Sequence, residues 1–190
     1  MEENNFEKVF TLLVSGVGVL GVIAMLVLMI LKSTNPLEIS LVSLLSLSLV
    51  GYLSLSTLYH FVENDVIEKI AWGFLYLSVL LLISNYTFLK PLSLKSVIPF
   101  GVCTFLGIIG IVFNALNKDD FKVANIILLF VISLALFLFL PLNYFLGFIA
   151  LNIISLVLYF ISVPYMHSMS HLFNMISLLG SYALIYFYLI

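Results

Sequence analysis

Residues 123–190 read VANIILLFVISLALFLFLPLNYFLGFIALNIISLVLYFISVPYMHSMSHLFNMISLLGSYALIYFYLI, 68 positions without one Asp, Glu, Lys or Arg. A helix needs about 20 apolar residues to cross a hydrocarbon core roughly 30 Å thick, so this stretch is too long for one or two crossings. Pro141-Leu142-Asn143 and Pro164 interrupt it. Proline ends helices, so the stretch divides into three. Upstream, the charged residues fall in short islands, leaving charge-free windows at Val9–Leu31, Ile39–Val62, Ile70–Leu89 and Ser96–Asn117. Each is the length of one crossing.

The composition agrees. Of 190 residues, 64% are hydrophobic and 8% charged, with a net charge of −2, whereas a soluble domain carries roughly a quarter charged residues. Barrel strands would alternate apolar and polar positions over about ten residues, but most windows here are apolar all round. The expected fold is therefore all-α: a polytopic membrane protein, one domain over 1–190, a seven-transmembrane-helix bundle with spans near 9–31, 38–61, 67–89, 96–116, 122–140, 143–163 and 166–189. Glu2, Glu3 and Glu7 have the wrong sign for a secretory signal, so the first window is read as a span.

Small and polar residues inside the spans have structural readings. Gly16, Gly18, Gly21, Gly101, Gly107 and Gly110 would let helix backbones approach. Serines at 40, 43, 46, 48, 54 and 56 stud the second span on several faces, and a serine can bond back to its own helix carbonyls. Asn114, Asn125, Asn152, Ser155 and Asn174 are too sparse to line a pore and read as interhelical hydrogen-bond partners. Cys103 is expected to be an unpaired buried thiol. The seven basic residues, all Lys, are scattered, which argues against nucleic-acid binding. Lys8, Lys69, Lys118 and Lys122 on the N-terminal side stand against Lys32, Lys90 and Lys95, so charge counting sets no orientation.

The chain has three histidines, His60, His167 and His171, all at ends of apolar spans. Ionisable groups at membrane depth are disfavoured and point to function. His167 and His171 form His-x-x-x-His, which puts both rings on one helix face about 40° apart, able to share a tetrahedral metal. His60 closes the second span and the pair opens the seventh. The end of an even helix and the start of an odd one fall on the same side, so all three share one leaflet. Three histidines with an open fourth position are the form of a catalytic zinc site. The other reading of each histidine is an interfacial ring bonded to a neighbouring helix.

Ser56-Thr-Leu-Tyr-His60 resembles the Ser-x-x-x-His element of the haemolysin III group and its adiponectin and progestin receptor relatives, within the CREST superfamily of membrane hydrolases. His167-Ser-Met-Ser-His171-Leu-Phe with Leu178-Leu-Gly-Ser181 is similar to that group's last-helix motif, and Asn85-Tyr-Thr87 to the close of its third helix. The resemblance implies a multi-pass protein of the plasma membrane with a cytoplasmic N-terminus and one Zn2+ held by His60, His167 and His171. It places Ser56 beside the metal-bound water as a catalytic residue. It further implies hydrolysis of a lipid amide or ester, with membrane lipid as partner and substrate source. Some relatives carry a pore-forming label. The group's third-helix Asp is replaced here by Phe74, fourteen residues after His60. A helical Glu68 would point about 120° away from that position. This leaves a second expectation, a catalytically lapsed, zinc-stabilised receptor, sensor or structural protein.

Overall fold

The computed structural model describes residues 5–89, 94–116, 122–161 and 166–188, apart from the side chains at 95, 122, 123, 137, 167 and 188. These residues form seven α-helices and no strand: α1 Asn5–Lys32, α2 Pro36–Val62, α3 Asp65–Phe88, α4 Leu94–Leu116, α5 Lys122–Leu134, α6 Leu142–Phe160 and α7 Met166–Tyr188. Pro164 lies outside the described residues.

Local chemistry sets the described helix ends. Asn35 caps α2 by accepting the Leu37 N–H at 3.0 Å, with Pro36 at the first helical position, where no N–H is needed. Asn64 caps α3 through the Val66 N–H at 2.8 Å. Between Asn64 and the end of α2, Glu63 takes the left-handed conformation at φ 51° and donates its N–H to the Tyr59 carbonyl. Two residues therefore reverse the chain. The fifth window differs from the single helix expected over 122–140: α5 stops at Leu134 and a 3-10 turn runs over Ala135–Leu138. The Phe139 and Leu140 N–H groups both close on the Leu136 carbonyl. This tightens the chain ahead of Pro141, whose ring keeps the preceding residue out of the α region.

Each helix packs beside the next from α1 to α5; α6 pairs with α7, and α7 returns to pack on α1, with α3 also reaching α5 and α7. Outward positions are apolar, for example Leu31, Leu47, Leu94, Phe105 and Leu116. Apolar surface on this scale is not left in water. By length and composition α1, α2, α3, α4 and α6 are apolar enough to cross a membrane. α7 has the length but is the least apolar of the seven, because His171, Asn174, Ser177 and Ser181 lie along it.

Polar groups inside the bundle are mostly paired, as a low-dielectric interior favours; among the described residues the exception is Asn85 Oδ1, which is buried without a partner. Ser46, Thr57, Ser78, Ser84, Thr87, Thr104 and Ser133 each bond the carbonyl four residues back. Between helices, Asn114 reaches the Lys69 carbonyl at 2.7 Å, Asn125 reaches Asn114, Asn152 reaches Ser177 at 2.6 Å, and Ser155 reaches the Ser170 carbonyl. The glycines divide. Added carbon at Gly51 would meet the Phe74 ring at 2.6 Å, and at Gly110 the Tyr76 ring at 2.6 Å, while Gly16 and Gly101 have nothing within 4 Å. The Tyr76 ring cannot retreat freely, since its hydroxyl donates to the Asn125 carbonyl at 2.9 Å. Gly110→Ala is accordingly expected to lower stability by about 1–3 kcal/mol. Gly101→Ala should leave the melting temperature in detergent unchanged, and equal melting of the two variants would refute the close packing of α3 on α4.

Candidate functional site at the histidine end

The short α2–α3 turn carries the end of α2 to the start of α1, where Lys8 and Glu63 form an ion pair at 3.2 Å. α7 begins at the same end: its Ser168 meets Thr11 of α1 at 3.3 Å. His60, in the last turn of α2, is 2% exposed. His171, in the second turn of α7, is half-buried. Their Nε2 atoms stand 3.0 Å apart, with ring centroids at 4.8 Å and planes at 89°. The rings therefore converge at their tips. Tyr59 lies edge-on to His60 at 5.7 Å.

Two chemistries fit this geometry. One ring can donate its Nε2–H to the other, or both nitrogens can present lone pairs to one cation. Ligand nitrogens on tetrahedral zinc, with bonds of about 2.0–2.1 Å, lie about 3.3 Å apart, and the observed separation is within a few tenths of an ångström of that. The third expected ligand, His167, has its backbone in the first turn of α7, four residues before His171, but its side chain lies outside the described residues. Among the described residues no three His, Cys, Asp or Glu side chains gather closely enough to hold a metal.

Ser56, one turn before His60, is half-buried and reaches the hydroxyl of Tyr52. Tyr52 in turn accepts a hydrogen bond from Asn174 Nδ2 at 2.8 Å. Farther along, Ser46 and Tyr182 are hydrogen-bonded through their hydroxyls. His60–His171, Tyr52–Asn174 and Ser46–Tyr182 thus join α2 to α7 at successive levels, although the two backbones are not close neighbours. Sequence reasoning missed the part Tyr52 plays, while Asn174, read as an interhelical hydrogen-bond partner, is one: its partner is Tyr52. The available signal was spacing: Tyr52 and Ser56 lie eight and four residues before His60, and Asn174 three after His171.

Position 74 belongs to a different level. The Phe74 ring covers Gly51, and its carbonyl accepts from Ser48 at 3.0 Å. Gly51 precedes His60 by nine residues, about 13 Å of helix. The α2–α3 seam is closed there by an aromatic ring. Comparison with known protein families, with curated proteins and with solved structures returns no match.

If the two imidazoles share one contact, their replacement cannot be additive. In metal-free detergent solution, His60→Phe and His171→Phe should each destabilise, and the double variant should depart from their sum by 0.5–3 kcal/mol, the range for contacting residues. Additivity within about 0.3–0.5 kcal/mol, the behaviour of independent sites, would remove the contact.

Proposed function

We propose that this chain is a seven-span membrane protein, related to the haemolysin III group, that binds one zinc ion through His60, His167 and His171 and hydrolyses a lipid amide or ester. The observation that carries the reading is the 3.0 Å approach of the His60 and His171 Nε2 atoms at one end of an apolar bundle. An imidazole pair disfavoured at membrane depth, converging nitrogen to nitrogen, is what a shared cation would require. His167, four residues before His171 in the sequence, would complete the set. In this reading the N-terminus is cytoplasmic and the bundle lies in the plasma membrane, with α5 plus its 3-10 turn and the polar α7 counted as spans.

Bound there, zinc would supply Lewis acidity toward an acyl carbonyl. The chain's own residues would do the rest. His60 and His171 fix the site's position at the helix ends. Ser56 supplies a hydroxyl on the same face of α2. The outward apolar helices deliver an acyl chain from the bilayer, so that its polar group arrives at the histidine level.

The lapsed reading is favoured by one observation: the Phe74 ring on Gly51 puts no carboxylate in the α2–α3 seam. A missing general acid or base is worth on the order of 10²–10⁴-fold in rate. Purified protein in nanodiscs, given ceramides and acyl esters, should release fatty acid, and zinc chelation or His167→Ala should stop it. Release that survives both treatments contradicts the zinc site, and zinc-loaded protein that releases none identifies the lapsed reading.

A further inference from the structure

Among the described residues four tyrosines are buried in the bundle, and three spend their hydroxyl protons on stitching helices together. Tyr76 donates to the Asn125 carbonyl and Tyr86 to the Ser181 carbonyl, each at 2.9 Å. Tyr182 meets Ser46, whose own proton goes to the Val42 carbonyl at 2.8 Å. Tyr52 differs. An amide nitrogen can only donate, so in its 2.8 Å contact with Asn174 Nδ2 the Tyr52 oxygen is the acceptor. Among the described residues no carbonyl takes the Tyr52 proton, and the side chain it reaches is Ser56.

The location gives that proton a use. Asn174 follows His171 by three residues, about 4.5 Å along the helix axis. Tyr52 and Ser56 share the α2 face that ends in His60. The Tyr52 phenol is therefore a buried donor, oriented by a hydrogen bond from α7, about two turns before His60 on α2 and at the level of the residue three past His171 on α7. An acyl chain held between α2 and α7 with its carbonyl at this level would meet that donor.

We propose that Tyr52, oriented by Asn174, is the substrate-contacting donor of the site and hydrogen-bonds the carbonyl oxygen of a lipid acyl amide or ester. The inference rests on the lipid-hydrolase reading of the same site and assigns the contact that reading lacks. A donor fixed in a water-poor interior and aimed where negative charge develops contributes about 10²–10³-fold to acyl transfer. Ser56 would share the proton when no substrate is present.

The experiment uses the full chain, zinc-loaded, in nanodiscs, with an N-palmitoyl amide carrying carbon-13 at its carbonyl. In the infrared difference spectrum the carbonyl band should move to lower frequency on binding, and Tyr52→Phe should reverse that shift while leaving zinc content unchanged. Hydrolysis by Tyr52→Phe should fall about 10²-fold in kcat, the loss of one such donor, with a smaller change in KM. Asn174→Leu, which keeps the phenol but frees it, should give an intermediate loss and serves if Tyr52→Phe does not fold. A band shift that depends on Tyr52 without turnover in the unaltered protein would sustain the contact and refute the hydrolase. Turnover or a band indifferent to both variants, or no bound carbonyl at all, would overturn the assignment.

Discussion

The bundle is tied across its interior by side-chain hydrogen bonds between α2 and α7, two helices whose backbones are not close neighbours. His60 with His171, Tyr52 with Asn174 and Ser46 with Tyr182 form that tie. In a bilayer the apolar effect does not drive helix against helix, and a single interhelical hydrogen bond contributes only about 0.6 kcal/mol on average. The value of the three contacts lies in register more than strength. Each long side chain finds its partner at one level only, and a slip by one turn would leave donors and acceptors unpaired where no water replaces them, at about 1–3 kcal/mol each.

Close packing elsewhere serves the same end. α1 lies between α2 and α7, with Gly18 against Met175 and Leu53. α3 packs along α2 through Gly51 under Phe74 and through the Ser48–Ser78 contact at 2.9 Å. The two-residue Glu63-Asn64 turn sets where α2 stops and α3 starts, and so holds His60 at the end of the bundle. The polar face of α7 is the reason it is the least apolar long helix: it spends hydropathy on contacts to α1, α2, α3 and α6.

Much of this was legible in the residues. Charge spacing and two prolines located seven helices, because a charge is expelled from an apolar bundle whatever its packing. That His60 and His171 lie at one end of the bundle followed from parity, since the end of an even helix and the start of an odd one share a side; their contact at 3.0 Å did not. Periodicity could place Tyr52 and Asn174 on the faces of their histidines, but it does not say which helices face each other, so their pairing was not readable. The 3-10 turn at Ala135–Leu138 and the split between packed Gly110 and open Gly101 depend on neighbours in the same way. Whether Phe74 stands for a lost acid is likewise a question of level, and its ring lies about 13 Å of helix short of His60.

The central claim is that the histidines form one metal site. Elemental analysis of protein purified without chelator, beside His60→Ala, His167→Ala and His171→Ala, tests it most directly. The account predicts about one zinc per chain, as a three-histidine site requires, lost in each of the three variants. Protein that carries no zinc when purified from zinc-supplemented cells, or variants that keep it, would contradict the account.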